Sequence, residues 1–224
     1  MEICKKIQRF ILIHLHYISL MQLKRKNKTV CVNAGHGTKG GESVKTLCHP
    51  DGSSKVTGGS TSQGAITATS INGGTTLADG TREATATLKL AMTVKKQLLK
   101  EGYNVLMVRE SDDAQLDNIA RTVFANNNAD YHIALHYDST SSNKGAFYIS
   151  VPNNNKYRSM YPVSKNWKKH NNLGKNLVNG MRSAGVKIYG SGSMAIDLTQ
   201  TSYSTIPSVD WKWEIREATI QAKR

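Results

Sequence analysis

The chain has 224 residues, enough to bury one full core, and its 38% hydrophobic and 21% charged content suits a globular protein in water. An excess of Lys and Arg gives a formal charge of +14 and points to an anionic partner, but no dense basic block alternates with aromatics, so a nucleic-acid binder is not expected. Three cysteines, Cys4, Cys31 and Cys48, exclude a disulfide framework in a chain of this length.

Residues 1–27 stand apart. Lys5, Lys6 and Arg9 precede the apolar run 10–21, and Lys24, Arg25 and Lys26 follow it. The layout resembles the charged and apolar parts of a signal peptide, but His14 and His16 interrupt the run and no small-x-small cleavage site follows. The run is short for a membrane span, so no stable membrane insertion is expected. Translation from Met21 is the preferred reading, and 1–27 is set aside as a basic, apolar extension of a domain over 28–210.

The domain opens with Thr29-Val30-Cys31-Val32-Asn33-Ala34-Gly35-His36-Gly37. The apolar run is that of a buried strand, with Cys31 a small core residue. Two glycines then let the backbone turn sharply around His36. Residues 38–80 are rich in Gly, Ser and Thr without helical period and read as a long surface insertion with, at most, short strands. Within it, Cys48-His49 lacks a second pair at ligand spacing and is a weak metal candidate. A helix follows, with Thr81 as expected N-cap and Ala84, Leu88, Ala91, Met92, Leu98 and Leu99 on one face up to Gly102. A strand at 104–108 leads to a second amphipathic helix carrying Leu116, Ile119, Ala120, Val123 and Phe124. Strands are expected at 131–136 and 145–151. Residues 152–168 read as a loop. A third helix through Leu173, Leu177, Val178 and Met181 ends at Gly185, before a strand at 186–189 and extended chain to Val209. Strands alternating with helices predict a single α/β domain, with a mostly parallel twisted sheet and helices on both faces.

Three residues fall where such a sheet collects chemistry, at the carboxyl ends of its strands. His36 and His136 each end a strand, and Glu83 opens a helix. Singly, each has an ordinary explanation: a turn histidine, a strand-end histidine, an acid favoured by the helix dipole. His132 lies an even number of residues before His136 and shares its face. Two imidazoles and a carboxylate form a catalytic zinc set that leaves a position open, but separations this large are no local metal motif.

Ordered blocks add what spacing does not. Val32-Asn33-Ala34-Gly35-His36-Gly37, the helix opened by Glu83, Gly102-Tyr103-Asn104-Val105 running to Val108-Arg109, Asn118 to Arg121 leading to Ala125-Asn126, and above all Asn128-Ala129-Asp130-Tyr131-His132-Ile133-Ala134-Leu135-His136-Tyr137-Asp138 resemble the zinc-dependent N-acetylmuramoyl-L-alanine amidases over residues 29–210. The resemblance implies that His36, Glu83 and His136 hold Zn2+, that Arg121 and Asn126 are structural supports, and that the substrate is peptidoglycan. It further implies a monomer, secreted or wall-associated as an autolysin, or a phage-encoded endolysin. A zinc peptidase of related site geometry and a non-catalytic, basic wall-binding domain are the alternatives.

The resemblance fails at one place. The family has a catalytic glutamate five positions beyond the proline of an Ile-Pro-Ser-Val-like segment, and here Ile206-Pro207-Ser208-Val209 is followed at that position by Lys212. Glu214 is two residues late and is the remaining candidate base, so activity is expected to be impaired. The codons for Trp211-Lys212-Trp213-Glu214, read one base displaced, place Glu at 212 and Gly at 214. Residues 211–224 are therefore expected to be an aberrant, frame-shifted end, which sequencing the gene across these codons tests.

Overall fold

The computed structural model describes residues 25–37, 40–77, 79–114, 116–140 and 144–216; the expectations for 1–24 and 217–224 lie outside them. A six-stranded sheet runs through the domain in the order β4-β1-β5-β8-β6-β7. Strands β1 (Thr29–Ala34), β4 (Asn104–Met107), β5 (Tyr131–Thr140) and β8 (Ser208–Arg216) are mutually parallel. β6 (Gly145–Ser150) runs antiparallel to β8 and parallel to β7 (Ile188–Ala195).

Alternation along the strands divides the core. Val30, Val32 and Ala34 of β1 lie beside Leu135 and Tyr137 of β5 and Trp211 and Trp213 of β8, packed against Leu90 and Ala91 of helix α1 (Glu83–Lys100). On the same face α4 (Val163–Ser183) lays Val178 on Tyr148 and Val209. Cys31 faces the other way, onto Ala125 of α2 (Asn118–Asn128). Helices therefore cover both faces, as alternating strands and helices predict. Near its end α1 closes in a Schellman turn: Gly102, at φ +82°, donates to the Leu99 carbonyl and Tyr103 to that of Leu98.

Several local expectations need correction. Thr81 is not the N-cap. Arg82 holds that position without a side-chain cap, and Thr81 belongs to the turn before it, where its backbone N–H donates to Asp79. Met92 and Leu99 lie exposed, as does Val123 of α2; beside Leu90, the buried faces carry mostly small or polar residues, Ala84, Thr87 and Ala91 in α1, Arg121, Thr122 and Ala125 in α2. Residues 152–168 are not a loop. They form α3 (Asn155–Ser159) and the first turns of α4, which opens behind Pro162. The stretch read as extended up to Val209 contains α5 (Thr199–Tyr203).

The insertion is more than surface. It contains the antiparallel pair β2 (Lys45–Leu47) and β3 (Thr67–Thr69), and it buries Cys48, His49, Lys55 and Leu77. Lys55 forms an ion pair with the fully buried Asp197 between β7 and α5, whose carboxylate also accepts from the backbone of Val56 (2.5 Å) and the hydroxyl of Thr57 (2.6 Å). His49 lies 3.3 Å from the same carboxylate and bonds Ser53 at 2.9 Å, so Cys48-His49 joins no metal-holding cluster among the described residues.

Candidate metal centre

His36 sits where β1 has ended, with φ +61°, a left-handed conformation unfavourable for a side chain with a Cβ. Two buried arginines hold this turn. Arg121 donates to the Asn33 side chain (2.9 Å) and to the carbonyls of Ala34 (3.0 Å) and His36 (2.7 Å). Arg109, at the end of β4, donates to the carbonyls of Ala34 (3.0 Å), Gly35 (2.9 Å) and, in the first turn of α1, Ala84 (2.6 Å). One guanidinium thus ties the β1 turn to the helix that carries Glu83.

Three donor atoms converge there. His36 Nε2 lies 3.0 Å from Glu83 Oε1, His136 Nδ1 lies 3.2 Å from the same oxygen, and the two ring nitrogens are 3.1 Å apart. His36 Nδ1 donates to the Asn72 carbonyl at 2.7 Å, which leaves Nε2 with its lone pair toward the cluster. Glu83 is 3% exposed and is aimed by backbone donors, Thr75 to Oε2 at 2.9 Å and Tyr137 to Oε1 at 3.1 Å. Burial works against its charge, but the adjoining imidazoles of His136 and His36 outweigh it and hold the carboxyl well below the usual range. Burial likewise opposes charge on His136, yet Asp210 and Glu83 raise its pKa, against Lys212.

A close triangle of lone pairs and a carboxylate calls for a positive centre. Zinc bonds of about 2.0–2.1 Å reach all three atoms from one point, since the edges are 3.0, 3.1 and 3.2 Å. The backbone makes room: a Cβ on Gly35 would stand 2.4 Å from the His136 ring, and one on Gly74 2.7 Å from the His36 ring. Among the described residues these three form the cluster able to hold a metal ion. They line a cleft of about 580 Å³ walled by the insertion on one side and Leu198, Thr199 and Gln200 on the other.

His132 is not at the site. It is fully buried between Asn33 (3.3 Å) and Ser208 (3.2 Å), and burial, with Arg121 and His170, lowers its pKa to about 3. Asn126 anchors the approach to β8, donating to the Tyr203 carbonyl at 2.9 Å and accepting from Thr205 at 3.0 Å. Lys212 is the register partner of His136 and lines the cleft, as does Asp210, whose Oδ2 lies 3.8 Å from His136 Nε2. Glu214 lies in β8 opposite Asp138, two residues beyond the cleft-lining Lys212; its side chain lies outside the described residues. Sequence reasoning missed Asp210, although alternation along β8 puts it on the face of Lys212. It also gave Arg109 no role.

An α/β domain with a His/Glu/His cluster at the carboxyl edge of a parallel sheet offers the donor set that metal-dependent hydrolases use. The family model described as N-acetylmuramoyl-L-alanine amidase matches residues 30–210, and the chain belongs to that family. The fold is similar to that of the N-acetylmuramyl-L-alanine amidase Ami1 from Mycobacterium abscessus (18% identity, 88% of this chain and 90% of that one, TM-score 0.66). Ami1 from Mycobacterium smegmatis is comparably similar (18% identity, 85% and 83%, TM-score 0.65), and the catalytic domain of CwlV from Bacillus (Paenibacillus) polymyxa var. colistinus less so (17% identity, 86% and 83%, TM-score 0.50). No curated protein matches the chain.

Proposed function

We propose that His36 Nε2, Glu83 Oε1 and His136 Nδ1 hold a zinc ion, and that the site is built to cleave the amide between N-acetylmuramic acid and L-alanine in peptidoglycan. The observation that carries this is the triangle of donor atoms with edges of 3.0–3.2 Å, set by three elements distant in sequence. Zinc bound there supplies Lewis-acid polarisation of the scissile carbonyl and a water acidified to a pKa of about 7. The chain's own residues do the rest. Asn72 fixes the His36 tautomer, Arg121 and Arg109 hold the turn, and the cleft accepts the stem peptide.

Amide hydrolysis also needs a carboxylate to take a proton from the attacking water and return it to the departing amine. At the position implied for it stands Lys212, beside His136. A cation there disfavours a second positive charge and moves no proton as a carboxylate does. Zinc binding with slow turnover is therefore the expected state of this chain. That position also favours a second reading, a wall-binding protein that retains the metal without hydrolysis. In either role the chain works at the cell wall; as an amidase it is an autolysin or a phage lysin.

Metal analysis of the purified protein, together with free amino groups released from purified peptidoglycan, tests both. Stoichiometric zinc with slow release of L-alanine amino groups supports the amidase, and zinc without release supports the binding protein. No zinc at all overturns both.

A further inference from the structure

From 139 to 196 the chain carries nine Lys and Arg and no Asp or Glu. The longest helix among the described residues lies inside this stretch. α4 buries Val163, Asn166, His170, Gly174, Val178 and Met181 against the sheet. Its opposite side is a single exposed row, Lys165, Lys168, Asn172, Lys175, Asn179 and Arg182, at alternating steps of three and four residues, with Lys169 and Asn176 beside it. Seventeen residues at 1.5 Å each give the row a length of about 25 Å.

The basic helix α1 is balanced by acids. On α1, Lys95 pairs with Glu110, and Glu101 follows Lys100. The α4 row has no such neutralisation from its own segment, and it carries only cations and side-chain amides. That composition fits a linear polymer of closely spaced phosphates and hydroxyls, with ammonium groups taking the phosphates and amides the hydroxyls. It does not fit base recognition. The row itself carries no aromatic residue, and the nearby Trp167 ring is already covered by the Arg158 guanidinium at 3.9 Å.

We propose that the α4 row docks the protein onto phosphodiester-linked polyol polymers of the cell wall, separately from the metal cleft. The partner's location rests on the family's wall substrate, but the assay reads binding alone, so loss of hydrolysis and loss of docking are distinguishable. With five cations engaged, affinity for such a polymer should fall roughly a hundredfold between about 50 and 200 mM salt.

The test is cosedimentation of the full chain with walls carrying poly(glycerol phosphate), and with the same walls after hydrofluoric acid has removed it. The triple variant K165Q/K168Q/K175Q is compared with K89Q/K96Q/K100Q, which removes three exposed charges from α1. Both keep good helix formers, and K165R/K168R/K175R controls for folding. Binding that falls on stripped walls and in the α4 Gln variant to the same residual level, which the cleft's hold on peptidoglycan sets, but is kept in full in the α1 and Arg variants, supports the proposal. Equal loss in the α4 and α1 Gln variants, undiminished binding on stripped walls, or tighter binding to single-stranded DNA or anionic vesicles would overturn it.

Discussion

His136 and Lys212 are register partners on the adjacent parallel strands β5 and β8, so a proposed metal ligand and an ammonium group flank the same cleft. Their proximity is the feature that departs most from what amide hydrolysis requires. It leads to the first prediction. Lys212→Glu should raise release of L-alanine amino groups from peptidoglycan by about 10²- to 10⁴-fold, the usual worth of a positioned general base. No gain in the variant, with zinc still bound, would mean that another group supplies the proton transfer.

Metal removal should show first as lost stability. A site held at about a hundred times its Kd adds about 2.7 kcal/mol, so a strong chelator should lower the melting temperature by roughly 5–10 °C. Glu83→Gln should abolish most of that metal-dependent shift while leaving a folded protein. A melting temperature indifferent to chelator in the parent chain would argue against a resident ion.

Arg121→Ala strips donors from the Asn33 side chain and the Ala34 and His36 carbonyls, inside a buried turn. The cost should be about 3 kcal/mol in denaturant unfolding, since each orphaned buried acceptor costs about 1–3 kcal/mol. Zinc affinity should fall with it, because His36 then lacks what holds its left-handed backbone. Unchanged affinity at reduced stability would confine Arg121 to the core.

Acid should destabilise the protein through two buried histidines that do not line the cleft. Burial holds His132 down to a pKa of about 3 and His170 to about 4. Below about pH 6.5 the unfolded chain takes protons that the folded one refuses, so stability falls with pH and stops falling below those folded values. Each contributes up to about 1.4 kcal/mol per pH unit. Glu83 acts in the same direction at lower pH, as its depressed carboxyl contributes stability above its unfolded pKa and loses it on acidification. Urea unfolding from pH 7 to 4.5 measures the slope, and His170→Gln should flatten it by up to one proton.

Much of this protein was legible one residue at a time. The apolar run at 30–32, the helix after 82 and the strand at 131–136 follow from periodicity, and the order of strands and helices forces a mostly parallel sheet. The errors share a cause. Met92, Leu99 and Val123 were read as core by apolarity, yet α1 and α2 turn Thr87 and Arg121 inward, because those side chains bond the turn that carries His36.

By itself the sequence determined the fold class, the identity of His36, Glu83 and His136 as candidates, and the lysine where a carboxylate was expected. Only the tertiary structure decided that three donor atoms from the turn after β1, from α1 and from β5 meet within 3.2 Å, that His132 is spent on Asn33 and Ser208, and that Asp210 and Lys212 face the cleft. Periodicity reports which way a side chain points from its own element. The distance between two elements depends on strand register and on buried arginines bridging them, which no local pattern encodes.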